Sequence, residues 1–205
     1  MKIQIRKGLF ETNSSSTHAI AIQEYPNLLY VQSLTDEELN KTYKDKNVKK
    51  VKYPEKVKFN FGCFGWEEKT IKDVETKASY LYTAMMSNLA FDEFDGAIKR
   101  IKRWLKEEGI DCELQPYKSV ERDYFSAYWT SKFNVEPKDG EYYYIDHSDE
   151  TMEFVCYVIA TKNHLLNFLF GDSIIMTGND NEESDIDTSK HISKDIEHMN
   201  FYKGN

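Results

Sequence analysis

Cysteine is scarce in this chain of 205 residues: Cys63, Cys112 and Cys156 are the three, widely spaced and set among apolar neighbours. An odd, scattered set of this kind does not build a disulfide framework and does not match zinc-ligand spacing, so the expectation is reduced core thiols. Long apolar runs are missing too. Nothing approaches the ~20 residues needed to span a bilayer, and the N-terminal Met1-Lys2-Ile3-Gln4-Ile5-Arg6 lacks the apolar segment of a secretory signal. The expectation is a cytoplasmic protein with no membrane association. Positive charge is in deficit: 27 Lys and Arg stand against 35 Asp and Glu, for a net charge of -8. That argues against a general nucleic-acid binder, whose phosphate contacts require an excess of cations. No nucleophile elbow, Walker loop, dinucleotide fingerprint, zincin motif or internal repeat occurs, so no standard reaction is written in the sequence.

What is present is enough for a core. Hydrophobic residues make up 40% and aromatics 14% of the chain, with 14 Tyr and 12 Phe, despite a mean hydropathy of -0.68. This composition predicts a folded protein, organised as one globular domain over 1–181 followed by an acidic, partly ordered tail over 182–205. The charge is unevenly placed. Eight lysines lie between Lys41 and Lys58 against Asp45 and Glu55, and eight acids follow from Asp172 onward against Lys190, Lys194 and Lys203. The two runs are either solvated surface or surfaces that select charged partners.

Periodicity places the elements. Lys2 to Arg6 and Ala19 to Gln23 alternate apolar and polar residues, which predicts two paired strands. Ser33 to Leu39 has a helix-start pattern with Thr35 as the cap, and Val57 to Phe61 reads as a strand protected at its edge by lysines. The aromatic loop Phe61-Gly62-Cys63-Phe64-Gly65-Trp66 is either a core plug or a clamp for a nucleobase. Helical spacing predicts helices over 73–89 and 92–108, the second with Phe94, Ile98, Ile101 and Leu105 buried and Gly109 as its stop. Lys99, Arg100, Lys102, Arg103 and Lys106 on that helix suit either phosphate binding or the helix dipole. Ile110 to Leu114 reads as a strand, Val120 to Phe133 as a buried helix, and Tyr142 to Ile145 as a strand delivering Asp146 and His147. An imperfect capping box at Ser148 to Thr151 precedes helices over 152–160 and 163–170, and Ser173 to Thr177 reads as a buried strand. The fold class expected is α+β, a mixed, mainly antiparallel sheet with several helices packed on one face.

The candidate site is the polar loop Glu11-Thr12-Asn13-Ser14-Ser15-Ser16-Thr17-His18. Such side chains often bond only their own backbone in a turn. They also gather hydroxyls, an amide and an imidazole where a ligand or a reacting group can be held. Arg6 can add a cation for a phosphate or carboxylate, and His18 is expected at the end of a strand. If this loop meets Asp146-His147-Ser148, then Ser16, His18, Asp146 and His147 would form a hydroxyl, imidazole and carboxylate set. Arg6, Asn13, Ser14 and Trp66 would then contact the ligand. A divalent metal on His18 and His147 would need a spacing that matches no standard pattern, so no metal site is assigned. His164, His191 and His198 are read as structural or surface residues.

Residues Arg6 to His18, with Phe64-Gly65-Trp66, Lys77 to Thr83, Tyr144 to Ser148 and Gly178 to Asn181, resemble segments of uncharacterised proteins from bacteriophages and mobile elements of Gram-positive bacteria. The resemblance implies a phage-type protein acting in the cytoplasm of a bacterial host, and it carries over no catalytic residue. Two functions are therefore open. One is an accessory protein that binds and inhibits a host macromolecule, such as a nucleic-acid-handling, CRISPR-like defence protein, through acids including Glu183, Asp185 and Asp187. The other is a nucleotide- or phosphate-ligand-binding protein, or a hydrolase, that uses a Ser/His/Asp pocket. The sequence does not identify a cofactor for either.

Overall fold

The computed structural model describes residues 16–30, 48–65, 69–117, 143–145, 151–179 and 188–203. In chain order the first half contributes strands β1 (Ser16–Gln23), β2 (Asn27–Tyr30), β3 (Val48–Val51), β4 (Lys56–Phe59), β5 (Cys63–Phe64) and β6 (Lys69–Ile71). Helices α1 (Val74–Asn88) and α2 (Phe91–Glu107) follow, then β7 (Asp111–Leu114) and β8 (Tyr144–Ile145). Helices α3 (Met152–Ala160) and α4 (Lys162–Phe170) precede β9 (Ile174–Asn179), a short helical turn at Thr188–Lys190 and β10 (His198–Lys203). No described helix is long and apolar enough to cross a membrane.

The helix ends follow from local chemistry. The Asp73 carboxylate accepts from Thr76 N at 2.8 Å and so caps α1. Glu93 accepts from Ala90 N at 3.0 Å at the start of α2, and Gly109, at φ 77°, reverses the chain after it. The Thr161 hydroxyl caps α4 through His164 N at 3.1 Å. Thr151, by contrast, makes no side-chain cap bond to α3; its hydroxyl accepts from Asn88 Nδ2 at 2.7 Å and ties α3 to the end of α1.

The main sheet has the order β10-β1-β9-β6 and is antiparallel throughout. Three parallel pairs, β2–β3, β4–β7 and β5–β8, make the fold mixed α+β, and helices pack against the sheet. Parallel pairing requires a long crossover, which α1 and α2 supply between β4 and β7. Two expectations change here. From His18 to Ala21 both edges of β1 are occupied, by β9 and β10, so these residues take their partners from the C-terminal part of the chain rather than from 2–6. Residues 198–203, expected to belong to a partly ordered tail, form β10 and pair with β1 from His18↔Lys203 to Gln23↔His198.

Helix α1 lies at the centre. It is buried at most positions and packs against α2, α3, α4, β4 and β8, as expected of a helix without a single polar face. Tyr80 and Tyr82 are wholly buried with Phe59, Phe94, Phe154 and Phe168. The loop aromatics plug this core: the Phe61 ring stacks on Tyr82 at 4.3 Å and Phe64 meets Tyr80 edge-on at 5.1 Å. Helix α2 buries Phe94, Ala97, Ile98, Ile101 and Leu105 as its spacing predicts, each large side chain contributing about 1.5–3 kcal/mol. On its outer side Lys99 pairs with Asp95 at 2.6 Å and Arg103 lies 3.9 Å from Glu107, so part of that charge is used within the helix. The three cysteines are unbridged, but Cys63 and Cys156 are exposed rather than core residues; only Cys112 is partly buried.

Candidate functional site

Of the residues singled out in the sequence, Arg6, Asn13, Ser14, Trp66, Asp146 and His147 lie outside the described residues. Ser16 opens β1, where its backbone pairs with Asn179. His18 lies inside β1 rather than at its end and is 3% exposed. Its Nδ1 is 3.0 Å from the Tyr80 hydroxyl, with the rings 6.0 Å apart. Burial raises the Tyr80 phenol far above its ordinary value, so it stays protonated beside the imidazole. The Tyr80 ring also meets Phe64, and Phe64 pairs with Ile145, the residue before Asp146-His147.

A different part of the fold holds an open, polar cavity. It has a volume of about 290 Å³ and is lined by Gln23, Lys72, Asp172, Ser173, His191 and Ser193, together with neighbouring backbone. Local sequence explains how these residues converge. Helix α4 ends as Gly171 N donates to Asn167 O at 3.0 Å. A Cβ at Gly171 would sit 2.5 Å from that carbonyl oxygen, so only glycine turns the chain tightly enough to present Asp172 and Ser173 before β9. Asn167 of α4 accepts from Tyr25 N at 3.1 Å and donates to Tyr25 O at 3.0 Å, which ties the chain just after β1 to α4.

Asp172 is the electrostatic hub of one wall. It accepts from Lys49 Nζ and from the Tyr25 hydroxyl, both at 2.6 Å. Burial works against its ionisation, but the Lys49 and Tyr25 hydrogen bonds and the Lys49 and Lys77 charges prevail, holding its carboxyl below the usual range. Burial, and then Asp172 itself, push the Tyr25 phenol up. This contact also joins the two charge runs of the sequence, since Lys49 belongs to the basic one and Asp172 opens the acidic one. Gln23 donates from its Nε2 to Ser193 O at 3.1 Å, and its Oε1 lies 3.1 Å from the Tyr25 hydroxyl oxygen, whose one proton goes to Asp172.

The lining also carries donors. Lys72 Nζ lies 3.2 Å from His191 Nδ1. An ammonium has no lone pair, so in this contact Lys72 donates and His191 Nδ1 accepts. Behind the cavity, Lys77 of α1 is 1% exposed. Its Nζ donates to Ser173 Oγ at 2.9 Å and reaches Gly171 O at 3.5 Å, while the Ser173 hydroxyl donates to Phe168 O. Burial lowers the Lys77 ammonium to about 8, against the opposing pull of Asp172 and Asp73; Lys49 adds to the lowering.

The cavity therefore gathers a serine, a histidine and an aspartate that the sequence reading did not single out as site residues. Gly171-Asp172-Ser173 carried a signal, small polar residues between a helix and a buried strand, but Lys77 reads in sequence as an ordinary helical lysine. Among the described residues, no cluster of three or more His, Cys, Asp or Glu side chains is placed to hold a metal ion. No protein-family model matches the chain, and neither curated proteins nor solved structures match it.

Proposed function

We propose that this protein binds a small anionic ligand, of the phosphate or carboxylate class, in the cavity between the end of β1 and the α4–β9 turn. The observation that carries this reading is the Lys72–His191 pair. Lys72 spends one of three N–H donors on His191 Nδ1, and both residues line the cavity. Asp172 does not repel such a ligand strongly, because Lys49 and Tyr25 already bond its oxygens. Charge-assisted donors set at fixed spacing are the means by which proteins hold phosphate and carboxylate groups. The test is calorimetric titration of the full chain with inorganic phosphate, acetate and adenosine monophosphate. Binding is expected, weakened about tenfold by Lys72→Ala or His191→Ala, the worth of one charge-assisted hydrogen bond. Absence of binding by the folded wild type to all three probes would remove the proposal.

A second reading rests on the acidic run Asp180 to Asp187, which lies outside the described residues, in a chain of net charge -8. Together with the resemblance to phage and mobile-element proteins, it supports binding and inhibition of a basic host macromolecule, such as a defence protein that handles nucleic acid. Replacing Glu182, Glu183, Asp185 and Asp187 by their amides is expected to abolish capture of that partner from host lysate. Unchanged capture would count against this reading and leave the cavity reading untouched.

A further inference from the structure

The main sheet ends differently on its two sides. β6 is three residues long and opens with an exposed lysine, Lys69, the kind of short, charged edge that discourages pairing. β10 is six residues long, and Met199 to Tyr202 include neither a charged residue nor a proline. Its ladder shows which backbone groups it presents. Glu24 N donates to Glu197 O at 2.7 Å, one step beyond Gln23↔His198 in the same register. Peptide groups of alternate residues point to opposite edges of an antiparallel strand. Residues 197, 199, 201 and 203 therefore bond toward β1, and the N–H and C=O groups of His198, Asn200 and Tyr202 point away from it. Among the described residues, no strand lies on that side of β10. Phe201 meets Phe154 and Tyr157 of α3. Met199 shares that helix-covered face of β10, yet it is 40% exposed.

We propose that β10 is the interface at which two copies of this chain join, pairing antiparallel across a two-fold axis through Asn200. A second copy is the occupant because the strand is complementary to itself in one register. An axis perpendicular to the sheet keeps the helices of both copies on the same side, so odd-numbered residues face odd and even face even. With Asn200 opposite the partner's Asn200, the outward groups of His198 meet those of the partner's Tyr202, and each such pair exchanges both N–H···O bonds. Met199 then stands opposite the partner's Phe201, which covers its exposed side chain with an aromatic ring. Glu197 stands opposite the partner's Lys203, so both ends of the ladder carry opposite charges. A shift of two residues either way loses this match: it sets Met199 against the partner's Lys203, or Glu197 against the partner's Phe201. The contact is isologous and closes at two copies. It involves none of the cavity residues and stands independently of ligand binding.

The experiment is sedimentation equilibrium of the full chain over a concentration series. The mass is expected to rise from 24.1 kDa toward twice that value. Asn200→Pro is the selective variant. The Asn200 N–H points away from β1, so proline removes a bond of the interface and none of the β1–β10 ladder, and edge strands accept proline at such a position. This variant is expected to remain at 24.1 kDa throughout, with native circular dichroism. A second pair of variants needs no change of backbone. Glu197→Lys sets like charges opposite each other at both ends of the ladder and should raise the dimer Kd about tenfold, and adding Lys203→Glu should restore it. A wild type that stays at 24.1 kDa at the highest concentration would overturn the proposal. A dimer that persists in folded Asn200→Pro would place the interface elsewhere, and a double charge variant no tighter than Glu197→Lys alone would exclude the register through Asn200.

Discussion

Lys77 is 1% exposed, an environment a lysine does not prefer. A buried ammonium bonded to neutral oxygens releases its proton more easily than the same group in the unfolded chain. Because burial lowers its value from 10.5 to about 8, the unfolded state binds more protons between those pH values, and stability must rise with pH across that window. The full displacement corresponds to about 3 kcal/mol. The tyrosines act in the opposite sense. Burial pushes the Tyr53 phenol up to about 12 and Tyr80 and Tyr82 higher, so above the ordinary value of 10 the folded state holds protons that the unfolded state loses, and stability falls. Chemical denaturation at pH 7, 8, 9 and 10 should therefore show a rise of about 1–3 kcal/mol in the wild type, absent in Lys77→Met. A flat wild-type profile, or an equal rise in the variant, would contradict this account.

At the scale of elements, the helix ends are where single substitutions should be most readable. Asp73 accepts the Thr76 N–H that would otherwise be unpaired at the start of α1, so Asp73→Ala is expected to cost about 1 kcal/mol. Gly109 stands at φ 77°, with nothing within 4 Å of the position a Cβ would take. The cost of Gly109→Ala is then conformational only, about 1 kcal/mol, because an L-residue resists the left-handed region. Gly109→Asn should recover part of it, since Asn enters that region more readily. Thermal unfolding of the three variants decides the matter; an Ala at 109 as stable as Gly would mean that the turn re-forms with negative φ.

Across the molecule, the two ends of the described chain are joined in one sheet. β10 closes one edge of β1, and Phe201 on it meets Phe154 at 5.8 Å and Tyr157 at 5.5 Å. Phe201→Ala should lose on the order of 2 kcal/mol through removed packing. A chain ending before His198 should lose more, because it also strips the ladder of hydrogen bonds from β1. Urea denaturation would show this as a lower midpoint. A truncated chain with the wild-type midpoint would mean that the segment is dispensable, as its composition suggests.

That composition marks the boundary between what is local and what is not. Helices α1 and α2, the stop of α2 at Gly109, and strands β4, β7 and β9 are determined by periodicity and end-signals that lie within one stretch of chain, so the sequence alone determines them. β10 gives no such signal: Met199 is exposed while Phe201 is partly buried, and its stability comes from pairing with a strand 185 positions away, His18 with Lys203, rather than from its own pattern. The same holds for the two polar clusters. His18 reads as a candidate base in a hydroxyl-rich run, and only packing shows that Tyr80, 62 residues on, occupies its Nδ1. Ser173 reads as a strand-start serine and Lys77 as a helical lysine, 96 residues apart. Local energetics act over a few residues and leave a periodic trace in the sequence, whereas a site is made by side chains whose meeting depends on how distant elements pack, and that is decided by the tertiary fold.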